Sequence, residues 1–373
     1  MSPSFTNLIP EVQLLIIARL DFQAKLSLVE SKLLPPLWII RIEDVNKYDD
    51  AGNSLLHLAA RENFVSAAKF LLSAGAHPSA HMGPGARDPN TTPLLLASRQ
   101  GNLAIARMLL DHGASVHEWD WSGVSALHYA SEAGHAQIVR LLLDSGATQN
   151  LNFDIGAPIH GAAGNGHAEV VRLLAARGAE LELPRRGVTA LALAICNEHL
   201  ACVEALLDAG AAVSVSVSGE QRLKCGEWSF PLLLAAGGPR AIEAMSIAEM
   251  GVSEICQSPR LAWKLGQKRL YAEMVRLLLR SGADVGQELD SVTALHVAAI
   301  AGNHLAVEYL LDAGADIYQR TRRKRSALGF ASLLNFDDIV QLLLNAKLGR
   351  PKEQKPAVGA KPDLRILNSR NPI

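Results

Sequence analysis

Short apolar segments with helical spacing alternate with polar segments that contain glycine along most of the chain. Residues 126–130 (ALHYA) form one apolar run, and residues 138–143 (IVRLLL) form the next. The apolar residues of the second run recur at the spacing of one helix face. Gly134 between the runs and Gly146 after them are suited to ending helices, because glycine accepts left-handed backbone angles. The pattern predicts two short helices joined by a turn.

This helix–turn–helix pattern repeats. In eight units, the residue that opens the first run lies 20 positions before the residue that closes the second run. The pairs are Leu55 with Gly75, Pro93 with Gly113, Ala126 with Gly146, Pro158 with Gly178, Ala190 with Gly210, Pro231 with Gly251, Ala294 with Gly314 and Ala327 with Lys347. A ninth pair, Pro259 and Gly282, is 23 residues apart. Self-similarity of this kind predicts an all-α solenoid of about nine repeats, two of them degenerate at about 226–285.

The residues inside the repeats resemble a known family. Residues 125–130 (SALHYA) and 293–298 (TALHVA) are similar to the T-P-L-H-x-A signature of the ankyrin repeat. The likeness covers about residues 49–347, and we assign the array to residues 46–348. The resemblance implies two antiparallel helices and a β-hairpin finger in each repeat. It also implies that histidines at two recurring positions are structural, tying one finger to the next through backbone and hydroxyl groups: His57, His128, His160 and His296, then His135, His167 and His199.

Composition narrows the function classes. The 373 residues are 49% apolar but only 5% aromatic, which suits a solenoid packed with leucine and alanine. A net charge of about −1 is too small to attract the whole chain to nucleic acid or to a membrane surface. The apolar runs are too short to span a bilayer, and no signal-peptide pattern opens the chain. The cysteines have no paired spacing, so we expect reduced thiols in the cytoplasm, with the nucleus as the second candidate location.

Residues 1–45 form a separate segment. Residues 11–20 (EVQLLIIARL) predict a helix after Pro10. The segment resembles the start of an F-box, particularly the fungal kind that precedes ankyrin arrays. That module docks the Skp1 adaptor of a cullin ubiquitin ligase, and the matching adaptor-docking residues here are Leu8, Pro10, Glu11, Leu15, Ile16 and Leu20. The proline falls one residue late, and the segment after Leu20 is shorter than in the family. The alternative is a helical cap on the first repeat, which every solenoid needs.

The chain lacks the residue patterns of catalysis. No phosphate-binding glycine loop, nucleophile elbow or H-E-x-x-H helix is present. His77 and His81 could supply two metal ligands, but a structural zinc site needs four and a catalytic one three. We therefore predict no enzyme activity, no catalytic residue, no metal site and no cofactor.

The resemblance also indicates where a partner would bind. In ankyrin arrays, partners contact the finger tips and the exposed ends of the inner helices, which form one concave face. The corresponding residues are Arg61, Glu62, Arg99, Gln100, Trp119, Trp121, Ser122, Val124, Glu132, Arg185 and Arg186. The tryptophans are the strongest candidates, because tryptophan at a finger tip supplies large desolvated area in an interface. The alternative is that one indole packs on a neighbouring finger.

Three further segments stand out. Residues 76–92 and 211–230 are long connections, and each can either touch a partner or be a relaxed loop. The last repeat carries a basic patch of Arg322, Arg323, Lys324 and Arg325, which suits an acidic segment, phosphate or an import receptor, or is a solvated face. The tail at 349–373 is polar and proline-rich, and we expect it to be disordered.

These observations predict a protein–protein interaction module. Its client would bind the concave face, while the N-terminal segment docks a Skp1-like adaptor and brings client lysines near a transfer enzyme. The competing interpretation is a non-catalytic scaffold whose N-terminal helices only cap the solenoid. No small-molecule substrate and no membrane partner are expected, and nucleic acid is the weakest candidate partner.

Overall fold

The computed structural model describes most of the repeat region and part of the N-terminal segment. The described residues are 21–31, 40, 44–150, 156–185, 187–213, 230–238, 244 and 265–348. They form 17 helices and one two-stranded sheet. None of the described helices has the length and apolarity needed to cross a membrane.

The third repeat shows why these residues fold as helix pairs. The side chain of Ser125 accepts a hydrogen bond from the backbone N–H of His128 and so caps the first helix. Gly134 takes a positive φ of 78° in the turn after that helix. The second helix buries three apolar side chains on one face: Ile138, Val139 and Leu142. It ends just before Gly146, where φ is 89° and the N–H of the next residue donates to the carbonyl of Leu142 at 2.9 Å.

The same pair occurs eight times among the described residues. A single helix precedes the pairs: α1 (Phe22–Glu30). The first helices are α2 (Leu55–Glu62), α4 (Pro93–Gln100), α6 (Ala126–Glu132), α8 (Pro158–Gly164), α10 (Ala190–Cys196), α12 (Pro231–Gly237), α14 (Ala294–Ala301) and α16 (Ala327–Leu333). The second helices are α3 (Val65–Ser73), α5 (Leu103–Asp111), α7 (Ala136–Asp144), α9 (Ala168–Ala176), α11 (Leu200–Asp208), α13 (Leu265–Arg280), α15 (His304–Asp312) and α17 (Asp337–Lys347).

The pairs stack into two layers. Each first helix packs against the first helix of the next repeat, and each second helix packs against the next second helix. Alanines such as Ala130, Ala162 and Ala194 are fully buried, which lets neighbouring first helices approach closely. No pair could bury its apolar face alone, so nearest-neighbour stacking stabilises the array. The predicted all-α solenoid is confirmed.

Hairpin turns, here called fingers, precede the first helices. The described fingers are the first (48–54), third (119–125), fifth (185 and 187–188), seventh (288–293) and last (320–325). Only the seventh forms regular strands among the described residues: β1 (Glu288–Leu289) pairs antiparallel with β2 (Val292–Thr293). Its two turn residues, Asp290 and Ser291, both have positive φ, as a two-residue hairpin requires.

The repeat count corrects the prediction. The predicted sixth and seventh units, at about 226–285, are one repeat. Helix α12 packs directly against α10, α13 and α14, while α13 packs against α11 and α15. This leaves no position for a separate pair between them. Pro231 therefore opens the first helix of this repeat, and Gly282 follows its second helix.

Helix α1 covers the exposed end of the array. It packs against both helices of the first repeat, and Leu26 and Val29 are buried. The Glu30 carboxylate accepts hydrogen bonds from the backbone N–H groups of Ser66 at 2.9 Å and Ala67 at 3.4 Å. A negative charge at the start of α3 also complements the helix dipole.

Several predictions fall on other parts of the chain. The adaptor-docking residues Leu8, Pro10, Glu11, Leu15, Ile16 and Leu20, the tail at 349–373 and most of the 211–230 connection lie outside the described residues. The connection at 76–92 is described and lies on the first finger. There the N–H of Gly83 donates to the carbonyl of Gly52 at 2.7 Å.

Candidate protein-binding surface

The third finger is a turn closed by a buried carboxylate. The Asp120 Oδ1 atom accepts hydrogen bonds from the backbone N–H groups of Ser122 and Val124, both at 2.9 Å. Two backbone bonds close the same turn, from Asp120 to the Val124 carbonyl at 3.1 Å and from Gly123 to the Asp120 carbonyl at 2.9 Å. The tip is therefore rigid before any partner arrives.

This rigid turn presents two indoles to solvent. Trp119 and Trp121 flank the buried Asp120. Trp121 is 75% exposed and Trp119 is 46% exposed. The backbone N–H of Trp121 also donates to Asp88 Oδ1 at 3.4 Å, which links the tip to the 76–92 connection. An exposed tryptophan on a fixed backbone is the kind of group that anchors protein interfaces.

A polar network joins this finger to two first helices. The Tyr129 hydroxyl on α6 donates to Asp120 Oδ2 at 2.6 Å. Arg99, near the end of α4, places its guanidinium carbon 5.4 Å from the centre of the Tyr129 ring, a cation–π contact. Burial, and then the hydrogen bond to Asp120, raises the pKa of Tyr129, so its phenol stays a proton donor. We call Arg99, Asp120, Trp121 and Tyr129 the finger-three surface.

The other predicted surface residues are distributed along the array. Arg61 and Glu62 pair with each other at 3.0 Å at the end of α2 and are partly exposed. Gln100, Ser122, Glu132 and Arg185 are exposed, Val124 is half-buried, and Arg186 lies outside the described residues.

Two contributors to the surface were absent from the prediction. Tyr129 occupies the variable position of the signature, and Asp120 is a buried acid in a turn. The spacing of Asp120 before Gly123 was the available signal for the turn. Sequence alone gives no indication that the Tyr129 side chain reaches back to Asp120.

The signature histidines act as predicted from the resemblance. His57 Nδ1 accepts from the backbone N–H of Ser54 at 3.2 Å, and its Nε2 lies 3.1 Å from the carbonyl of Thr91 in the next repeat. This pattern requires the neutral ring with its proton on Nε2. His128, His160 and His296 repeat it with the carbonyls of Gly156, Leu183 and Gln319. Burial lowers the pKa of His57 to about 4, and it also lowers the pKa of His160 and His296.

The second histidine set supports the ends of the first helices. His135 Nε2 lies 3.3 Å from the carbonyl of Arg99, and His167 Nε2 lies 3.0 Å from the carbonyl of Glu132. The His167 ring sits over Gly134, where a Cβ would come within 2.5 Å of the ring. These histidines therefore position the backbone of two predicted surface residues.

Two free cysteines lie among the described residues, Cys196 at the end of α10 and Cys202 within α11. Burial raises the pKa of Cys196 to about 12 and that of Cys202 to about 11, so both stay thiols. Within the same part of the chain, no group of three or more His, Cys, Asp or Glu side chains could hold a metal ion.

Comparison with curated proteins finds similar segments in larger proteins. Human palmitoyltransferase ZDHHC13 is 41% identical over 87 residues, which is 23% of this chain and 13% of that protein. Glycerophosphocholine phosphodiesterase gde1 of Schizosaccharomyces pombe is 42% identical over 87 residues, 23% of this chain and 7% of that protein. Mouse ankyrin repeat and SOCS box protein 2 is 34% identical over 105 residues, 28% of this chain and 13% of that protein. The chain thus spans a small fraction of each relative's length.

Structure and family comparisons agree on the repeat type. The crystal structure of the human ASB11 ankyrin repeat domain matches with a TM-score of 0.51 and 25% identity, covering 72% of this chain and 100% of that one. Models of the ankyrin repeat match residues 51–82, 80–154, 151–216 and 265–354, more than half of the chain. The chain belongs to the ankyrin-repeat family.

Proposed function

We propose that this chain is a non-catalytic interaction module that binds a protein client through the finger-three surface. Ankyrin repeats generally bind protein partners, which sets the class of activity. The observation that supports this location is Trp121, which is 75% exposed on a turn that hydrogen bonds to the buried Asp120 carboxylate hold in place. A backbone that is already ordered before binding loses little conformational entropy on association, so the area that the indole buries contributes more fully to affinity.

The surroundings of Trp121 suit a polar rim. Arg99 and Gln100 are exposed at the end of α4, and Glu132 is exposed at the end of α6. Interfaces of this kind place an aromatic anchor at the centre and charged groups around it. The proposed place of action is the cytoplasm.

The test is retention of proteins on immobilised full-length chain. We expect Trp121→Ala to weaken client binding by about 30-fold, the effect of losing one anchor residue. Leu348→Ala is the matched control, because Leu348 is a large apolar side chain, 63% exposed, at the other end of the array. Clients are the proteins retained by the control but lost from the Trp121 variant. Identical sets on both would refute this surface.

We further propose that the chain recruits its client to a cullin-type ubiquitin ligase through residues 1–45. The support is the F-box-like pattern around Leu15 and Leu20. The name of the mouse relative also combines ankyrin repeats with a box module, the SOCS box. In this proposal a Skp1-like adaptor binds the N-terminal segment, and the array holds the client near the transfer enzyme.

A second role for this segment is favoured by the contacts of α1, which covers the first repeat through Leu26, Val29 and Glu30. Deleting residues 1–45 would therefore expose the array, and loss of binding could reflect unfolding. The sharper test is the double substitution Leu15→Ala, Leu20→Ala, with α1 left intact. We expect it to lose Skp1-like and cullin proteins while keeping the clients and the helical circular dichroism. If the unsubstituted chain retains no Skp1-like protein, the segment is only a cap.

A further inference from the structure

The last finger has the same turn geometry as the third. The backbone N–H of Thr321 donates to the Arg325 carbonyl at 2.9 Å, and that of Lys324 donates to the Thr321 carbonyl at 2.7 Å. The same two bonds close the third finger, where Asp120 and Gly123 occupy the corresponding positions. The third finger therefore serves as a reference for the residues that this turn contains.

The last finger departs from that reference at both key positions. Asp120 accepts two N–H groups, but the Thr321 Oγ1 that replaces it is buried without a hydrogen-bond partner in the described structure. Gly123 has a φ of 81°, and Lys324 has a φ of 59° at the same point. Left-handed angles favour glycine, because a Cβ crowds the backbone there. Each change weakens the turn, and each makes it more positive.

The basic side chains of this finger are presented to solvent. Arg320, Arg322, Arg323 and Lys324 are all exposed. Arg322 is held by an ion pair at 2.5 Å with Asp290 of the seventh finger, and Arg325 lies 5.9 Å from the Phe330 ring centre. Among the described residues, none of the ion pairs involves Arg320, Arg323 or Lys324. Lys324 thus occupies the left-handed tip position that glycine occupies in the third finger, and its side chain is exposed there.

We propose that the last finger is a docking surface for an acidic peptide segment of a partner protein. Guanidinium groups bind carboxylates in a bidentate way, and the ammonium of Lys324 adds a point charge at the tip. Tyr318, which is 64% exposed, supplies an aromatic contact beside the charges. This surface is separate from the finger-three surface, so the two can be tested independently.

An acidic peptide fits better than nucleic acid. The Glu288 carboxylate beside the finger accepts a bond from the Gln319 side chain at 2.9 Å, and Asp290 and Asp316 lie nearby. These carboxylates would repel a continuous row of phosphates, and the chain as a whole carries a net charge of about −1. A short peptide can place its carboxylates on the exposed arginines alone.

The test uses fluorescence anisotropy with the full chain and a labelled short peptide whose few glutamates are separated by glycine and serine, at about 50 mM salt, where ion pairing is weakly screened. The key variant is Arg323→Ser, Lys324→Gly, which restores the Ser–Gly pair of the third finger. We expect it to weaken peptide binding about three- to tenfold. Its thermal unfolding temperature should stay the same or rise, because glycine accepts the positive φ. The control is Arg140→Gln, which removes an exposed cation from α7 and should leave binding unchanged.

Four results would overturn the proposal: no peptide binding by the unsubstituted chain, equal binding by the double variant, equal weakening by Arg140→Gln, or tighter binding of single-stranded oligothymidylate than of the peptide. The last outcome would assign the finger to nucleic acid. A folded double variant keeps the result interpretable, since circular dichroism and thermal unfolding are measured on the same samples.

Discussion

The buried histidines should make the stability of the array depend on pH. His57 is fully buried, with its Nε2 proton directed at the carbonyl of Thr91. Burial lowers its pKa to about 4, and this outweighs the hydrogen bond to Thr91, which acts in the opposite direction. In the unfolded chain a histidine has a pKa of about 6.5. As the pH falls below about 6.5, the unfolded state therefore binds a proton before the folded state does.

The size of the effect follows from these two values. Stability falls as the pH falls wherever the unfolded state binds more protons, so the loss begins near pH 6.5 and is complete near pH 4. At about pH 5 the penalty from His57 alone is about 2 kcal/mol. Burial also lowers the pKa of His160 and His296, so both act in the same direction.

The assay is urea unfolding followed by circular dichroism at about pH 7.5 and about pH 5. We compare the unsubstituted chain with His57→Gln. The variant should be less stable at the higher pH, because it loses the ring's hydrogen bonds to two backbone groups. Between the two pH values, however, it should lose about 2 kcal/mol less than the unsubstituted chain. His117→Gln, at an exposed position, is the control and should not change the pH dependence.

One result would refute this reasoning directly. If His57→Gln lowers stability but keeps the full pH dependence, then protonation of His57 does not contribute to acid unfolding. The pKa of the native residue would then lie near its ordinary value despite burial.

Four other substitutions test the packing, each by thermal unfolding. Gly134→Ala should cost about 3 kcal/mol, because the new Cβ meets the His167 ring at a positive φ, whereas Gly146→Ala should cost only about 1 kcal/mol, since no atom lies within 4 Å. Equal losses would contradict the steric argument. Glu30→Gln should cost about 1 kcal/mol by weakening the cap on α3, and no change would show that the charge of Glu30 contributes little. Tyr129→Phe should cost about 1–2 kcal/mol for the lost bond to Asp120, and a smaller loss would mean that water replaces it.

Much of the site's framework could be predicted from the sequence. The structural histidines, exemplified by His57 and His135, are confirmed because their roles depend on repeat position, and the repeat defines every neighbour. Trp121 was placed at a finger tip by the same register and is exposed there. Tyr129 was missed, because its contact with Asp120 depends on how the finger folds back over the helix.

The repeat count was predicted incorrectly for a similar reason. Pro231 and Gly251 have the regular spacing, and Pro259 and Gly282 nearly do, so each pair resembled a complete unit. Spacing alone cannot distinguish two short repeats from one repeat with an insertion, since both place helix-opening and helix-closing residues at suitable intervals. The contacts of α12 with α14 and of α13 with α15 decide between them.

The sequence by itself determined the family, the helix pairs and the histidine positions, because each depends on local spacing that recurs along the chain. The tertiary structure decided which helices stack, how α1 covers the first repeat, and which side chains meet on the finger-three surface. It also revealed that Thr321 and Lys324 depart from the turn that Asp120 and Gly123 form. Such facts depend on backbone angles and on contacts between residues distant along the chain, and a periodic pattern specifies neither.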